Sequence, residues 1–257
     1  MNIVFDLDGT ICFKGEPVTE TILQALEIAQ TSCHRVIFAS ARPIRDMLPV
    51  LEKRFHTYTM IGGNGSLIAE QGILKHTSAF TEQQLEAIKQ LIGEQHAAYL
   101  ADGEWDYSFT GPQEHPILQK VDQARMAENI AIDLHPSVVK ILILTANNMD
   151  SFARELANLD VVVHRHAQEN VLDISPENID KRSALKTLGI HQGDYIAFGN
   201  DDNDITMFQD AAHAVMVGEH KALAPFADDA IPLTGNYEKK IIDKIHQLTN
   251  DYNTSKV

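Results

Sequence analysis

The 257-residue sequence predicts an α/β fold, a parallel sheet covered by helices on both faces and interrupted by a smaller α+β insert. Three observations predict it. Short apolar runs at 3–5, 36–39 and 195–198 lack polar alternation, as expected of strands buried on both faces. Such runs alternate with helical periodicity at both ends of the chain. The middle third changes texture to a hairpin, a helix and further strands.

Taken in order, the run at 3–5 leads into a glycine-bearing loop. Thr19 then stands as an N-cap before Ile22, Leu23, Leu26 and Ala29 at helical spacing, and the run at 36–39 completes a βαβ unit. In the middle, Thr81 and Gln84 have capping-box spacing at the head of a helix running to about His96. Strand-like runs at 97–101 and 107–109 flank the turn-like Asp102-Gly103-Glu104, followed by a strand at 139–144, a helix at 149–159 and a strand at 161–166. In the last third, Asp180 caps a helix through Leu188, 195–198 is a strand, 203–211 a helix and 214–217 a strand. These textures place the core at 1–78 and 173–257 and the insert at 79–172, with 250–257 as a frayed tail.

Composition narrows the function. With 21 Lys+Arg against 36 Asp+Glu, a net charge of −15 repels phosphate backbones and anionic bilayers, so neither nucleic acid nor membrane is an expected partner. No stretch of about 18 apolar residues occurs, and no basic, then apolar, leader opens the chain. The expected location is the cytoplasm. Cys12 and Cys33 are too few for a disulfide framework or a four-cysteine zinc site, and both are expected as small buried apolar groups.

Chemistry concentrates in two loops. Asp6-Leu7-Asp8-Gly9-Thr10 directly follows the first strand, and reactants in open α/β sheets sit at the carboxyl ends of strands. Gly9 permits a bend that lets one carboxylate act as nucleophile and the other as acid and base. Gly199-Asn200-Asp201-Asp202-Asn203-Asp204 follows another buried strand. So many like charges call for a hard divalent cation with oxygen ligands, Mg²⁺ foremost, although Asp residues also complement a helix N-terminus with no ligand at all. Ser40, after the strand at 36–39, and Lys181, at a helix start, are individually ordinary: a turn serine and a surface lysine.

Their order is not ordinary. Asp6-Leu7-Asp8-Gly9-Thr10, then Ser40 with Ala41-Arg42-Pro43, then Lys181, then 199–204 resembles the four successive motifs of the haloacid dehalogenase-like hydrolase superfamily. The insert of about a hundred residues, preceded by Gly62-Gly63-Asn64-Gly65-Ser66-Leu67-Ile68, resembles the Cof-type subgroup with a C2B cap. The resemblance implies a Rossmann-like core, a cap that carries specificity, and a Mg²⁺-dependent phosphatase working through an aspartyl-phosphate. It makes Asp6 the nucleophile, Asp8 the acid and base, and Lys181 the offset to negative charge. Thr10, Ser40 and the loop around Leu7 and Gly9 would hold phosphoryl oxygens. Asp6, the Asp8 carbonyl, Asn200 and Asp204 would hold the metal, and Arg42 and Asn64 would touch substrate.

The chain departs from the family pattern in three places. Asn200 stands where the family usually has Asp, Arg182 follows the motif lysine where glycine is common, and 216–220 lacks the usual Met-Gly-Asn-Ala form. Outside the motifs, Asp102, Glu104, Trp105 and Asp106 read as a solvated hairpin or as hydroxyl-binding groups, and His164 and His166 as exposed strand residues or a metal pair. The expected substrate is a small phosphomonoester, a sugar phosphate or a cofactor phosphate. Two other readings stay open: a phosphomutase, and a phosphate-ligand-binding protein on the same scaffold.

Overall fold

The structure, a computed structural model, describes residues 1–166 and 171–253. The chain divides into two compact units, one of Met1–Arg42, Met47–Lys75 and the chain from Asp180 onward, the other of Pro43–Asp46 and His76–Ile179.

In the N-terminal part, β1 (Asn2–Phe5), α1 (Glu20–Thr31), β2 (Arg35–Ala39), α2 (Ile44–Met47), β3 (Thr59–Gly62), β4 (Leu67–Glu70) and β5 (Ile73–Thr77) follow one another. The middle supplies α3 (Glu82–Glu94), β6 (Ala98–Gly103), β7 (Tyr107–Phe109), β8 (Val138–Thr145), α4 (Met149–Leu156), β9 (Val161–His166) and β10 (Val171–Pro176). The chain closes with α5 (Lys181–Thr187), β11 (Tyr195–Gly199), α6 (Ile205–Asp210), β12 (His213–Val217), β13 (Asp229–Ile231) and α7 (Tyr237–Asn253).

The first sheet has the order β13-β12-β11-β1-β2-β3-β4-β5 and is parallel from β13 to β3, with β4 returning antiparallel. This is the expected α/β core. On one face Val4, Ile37, Ala197 and Ala214 pack against Ala184 and Leu185 of α5 and Met207 and Phe208 of α6. Phe5 and Phe198 stack with ring centroids 4.7 Å apart across β1 and β11. Each such large side chain, fully withdrawn from water, contributes roughly 1.5–3 kcal/mol. Helix α1 buries the expected Ile22, Leu23, Leu26 and Ala29 and packs on α7. Thr19 is its N-cap by position, but its hydroxyl binds Glu238 instead of the helix backbone.

The second unit is an antiparallel sheet in the order β7-β6-β8-β10-β9, the α+β insert that the middle third predicts. Ile88 of α3 and Phe152 and Leu156 of α4 bury Tyr99, Ala101, Ile141, Ile143, Leu172 and Ile174 on one face. Thr81 and Gln84 form the capping box of α3 as expected.

Sequence and structure differ at the edges of this unit. Strand β10 belongs to the second sheet and ends at Pro176, so the chain stays in that unit past 172. Pro43–Asp46 joins it because Arg45 is fully buried there, paired with Asp102 and donating to the Trp105 carbonyl at 2.8 Å. Asp102 is therefore no solvated hairpin residue: β6 runs on to Gly103 and buries its carboxylate. Two further expectations are corrected. Cys33 is exposed in the turn between α1 and β2, a connection at the surface where it takes φ of 64°, whereas Cys12 is buried. Residues 250–253 belong to α7, anchored through Ile245, Leu248 and Thr249, while 254–257 lie outside the described residues. Among the described residues no helix is long and apolar enough to cross a membrane.

Asp46 gives this unit a pH dependence. Its carboxylate accepts the Asp122 N–H at 3.0 Å and lies 3.4 Å from Arg45, yet burial, only partly offset by Arg45, raises its pKa from 3.8 to about 6. A carboxyl held above its unfolded value favours the fold fully below that value, and the benefit is lost as pH rises through the folded value. Asp46→Asn keeps an acceptor for Asp122 and cannot ionise. Urea unfolding between pH 4 and pH 7 is expected to show the variant gaining stability relative to wild type as pH rises; parallel curves would refute the assignment.

Candidate active site

The site is built where β1 ends between β11 and β2. The Asp6 N–H still pairs with the Phe198 carbonyl of β11 at 2.9 Å. The chain then turns on the Leu7 carbonyl, which accepts from Thr10, Ile11 and Cys12 at 3.2, 3.0 and 2.8 Å. Gly9 takes φ of 80°, and a Cβ there would run into the Asn200 amide. The turn thus needs glycine for conformation and for space.

Lys181 is completely buried and spans two carboxylates, donating to Asp6 Oδ1 at 2.6 Å and Asp204 Oδ1 at 2.7 Å. Burial alone would lower the lysine pKa, but Asp204 and Asp6 reverse that and push it up to about 12. Asp6 moves up to about 7, because burial and then the Asp204 charge outweigh the attraction of Lys181. One ammonium cannot fully compensate two carboxylates out of reach of water. Asp6 Oδ2 accepts the Thr10 hydroxyl at 2.9 Å. Asp204 has both oxygens engaged, since Oδ2 accepts the N–H groups of Asn200 at 2.8 Å and Asp201 at 3.2 Å.

Asp8, two residues from Asp6, faces outward with its side chain 47% exposed. Arg42 grips it with both ends of the guanidinium, Nε to Oδ2 at 2.7 Å and Nη2 to Oδ1 at 2.6 Å. Ser40 is buried at the end of β2; its hydroxyl accepts the Arg42 N–H at 3.1 Å, and its carbonyl accepts the Asn64 N–H at 2.9 Å. Among the described residues no hydrogen bond joins Ser40 to Asp6, Asp8 or Lys181. Asn203, which the sequence reading leaves without a role, donates from Nδ2 to Asn64 Oδ1 at 2.9 Å and ties the two asparagine loops together. Its signal was its place among the acids after a buried strand, masked by their charge.

The loop after β3 supports the lysine. Gly63, Asn64 and Gly65 have successive φ values of 59°, 59° and 119°, and a Cβ on Gly65 would collide with the backbone of Asp180. Asp180 caps α5 by accepting the Ser183 N–H at 2.6 Å, and Lys181 is the first residue of that helix. Gly65→Ala is expected to cost about 1–3 kcal/mol through strain and collision. Urea unfolding that leaves the midpoint in place would contradict this close approach.

The structure therefore brings Asp6, Asp8, Thr10, Arg42, Asn64, Lys181, Asn200 and Asp204 to one end of one sheet. As for a metal, the Asp8 carbonyl and Asp6 Oδ2 lie 2.9 and 3.1 Å from one end of the Asn200 amide, a set of oxygen-bearing groups of the kind that suits a hard cation. Asp201, Asp202 and His220 form a second group with ligand atoms within 4.8 Å of one another, at the surface. His164 is exposed on β9, and the side chain of His166 lies outside the described residues.

Comparison with known proteins extends these observations. The family described as haloacid dehalogenase-like hydrolase matches residues 3–231. A 5-amino-6-(5-phospho-D-ribitylamino)uracil phosphatase of Bacillus subtilis is 24% identical over 232 residues, covering 84% of this chain and 86% of its own. Among solved structures, a Thermotoga maritima protein superposes with a TM-score of 0.79 at 20% identity, over 96% of each chain. A sugar phosphatase of subclass IIB gives 0.74 at 17% identity, over 97% of this chain and 98% of its own.

Proposed function

We propose, for a chain that belongs to the haloacid dehalogenase-like hydrolases, a phosphatase that hydrolyses small phosphorylated metabolites, sugar phosphates first among them. The observation that carries this reading is the division of labour between two neighbouring acids. Asp6 is buried and held by Lys181 and Thr10, while Asp8 is half in solvent and held by Arg42. Environments that differ so much suit different tasks.

Asp6, fixed in orientation, attacks phosphorus and becomes an aspartyl-phosphate as the ester bond breaks. Asp8 gives its proton to the leaving oxygen, then takes one from the water that cleaves the acyl phosphate. Lys181 offsets the charge around Asp6, and Asp204 keeps Lys181 in line. Thr10, Ser40 and the Leu7 N–H hold phosphoryl oxygens, while Arg42 and Asn64 meet the substrate; the Gly9 N–H, expected among these donors, is instead given to the Cys12 carbonyl at 2.8 Å, which closes the turn. Asp6, the Asp8 carbonyl, Asn200 and Asp204 would hold Mg²⁺, whose charge would offset that of the transferring phosphoryl group. Asp204 also fixes the site through Lys181 at Oδ1 and through the Asn200 and Asp201 N–H groups at Oδ2.

The substrate class draws on the relatives: the Bacillus subtilis enzyme is named for a phosphate on a ribityl chain, and the subclass IIB protein for sugar phosphates. The test is phosphate release from a panel of sugar, nucleotide and cofactor phosphates with and without Mg²⁺. Metal-dependent release supports the reading and ranks the substrates. No release from any of them by folded protein would leave a phosphate-ligand-binding protein on this scaffold.

A further inference from the structure

We infer that Asn200 is a two-position amide: it closes the metal loop by donating hydrogen bonds when no cation is bound, and turns its oxygen inward to ligate the cation when one is. The inference rests on the reading of the site as a Mg²⁺ centre.

The amide sits against the loop after β1, its backbone N–H fixed by Asp204 Oδ2 at 2.8 Å. Gly9 lets it approach so closely, because any side chain there would occupy the same space. An amide is nearly symmetric in shape but not in chemistry, one end being donor only and the other acceptor only. With Nδ2 inward it reaches the Asp8 carbonyl at 2.9 Å, and Asp6 Oδ2 and Thr10 Oγ1 at 3.1 Å each. All three can accept, and the Thr10 hydroxyl remains free to donate to Asp6 Oδ2. With Oδ1 inward, three oxygens face one another and Thr10 supplies the one hydrogen. That arrangement is unfavourable without a cation and becomes a set of oxygen ligands with one.

A carboxylate at this position has no donor end. Beside Asp6 it would add a second negative charge, relieved only by a cation or a proton. Asparagine therefore gives up one charge in the ligand set and gains a loop satisfied in both states. Two consequences follow: a weaker grip on Mg²⁺ than aspartate would give, and a metal-free protein that keeps its loop formed.

The experiment is two-dimensional NMR of ¹⁵N-labelled full-length protein, with the Asn200 side-chain NH₂ pair assigned by its loss in Asn200→Asp. The pair is expected to be protected from solvent exchange without metal and to shift and lose protection when Mg²⁺ is added. A pair that exchanges freely without metal, or ignores Mg²⁺ at concentrations where calorimetry shows binding, overturns the inference. Calorimetry and thermal unfolding supply the second arm. Asn200→Asp is expected to bind Mg²⁺ about tenfold tighter or more, through its added ligand charge, and to melt below wild type without metal, Mg²⁺ removing the deficit. Equal affinity and equal melting would overturn it too. Neither arm uses turnover, so Mg²⁺ binding with a responding amide but no phosphate release defeats only the phosphatase reading. Metal-dependent release with an indifferent amide defeats only this inference.

Discussion

Asp6→Asn is expected to lower phosphate release by about 10⁴-fold or more, the loss typical of removing a nucleophile rather than a supporting contact. The substitution is close to isosteric. Its amide oxygen still accepts from Lys181, and Lys181 keeps its bond to Asp204 at 2.7 Å. Stability is therefore expected to stay within about 1 kcal/mol of wild type, which separates chemistry from folding. Phosphate release from the best substrate, read beside a urea unfolding curve, checks both halves. A folded variant with near-normal turnover would remove Asp6 from the nucleophile role.

Lys181→Met carries the largest effect on stability. The side chains are similar in length, so packing is largely kept. The buried carboxylates of Asp6 and Asp204 lose the ammonium they share. Removing one partner from a buried ionic set costs about 3–5 kcal/mol, because charge is left uncompensated in a poor solvent. For a chain of this size that is a fall of about 10 °C in melting temperature, with activity lost as well. Adding Asp204→Asn to the variant is expected to restore part of the lost stability, since one carboxylate then remains where two repelled each other. If the double variant melts no higher than the single one, the shared-lysine account fails.

The core was legible because its signals are local. Residues 3–5, 36–39 and 195–198 are apolar without alternation, and β1, β2 and β11 form there. The acids at 6–10 and 199–204 stood out because each follows such a strand. What the sequence hid depends on partners far along the chain. Arg45 looks like a surface residue until Asp102, 57 positions later, takes its guanidinium into the second unit. Strand β5 has a mostly exposed pattern and sits at a sheet edge, so no hydrophobic period announces it. The family resemblance makes Asp204 a metal ligand. Only the structure shows both its oxygens engaged, by Lys181 and by two backbone N–H groups. Motif order could bring Asp6, Lys181 and Asp204 together, but not say which atom faces which.

The central strand has a consequence for the making of this protein. Strand β1 pairs with β11, so Asn2 lies beside Tyr195 and Phe5 beside Phe198. The residue that holds Asp6 in line arrives at position 181, and the loop that closes around it at 200–204. An emerging chain therefore carries its first acids long before it can orient them. On the proposed mechanism, a chain that ends before 204 lacks the groups that hold Asp6 and is expected to release no phosphate.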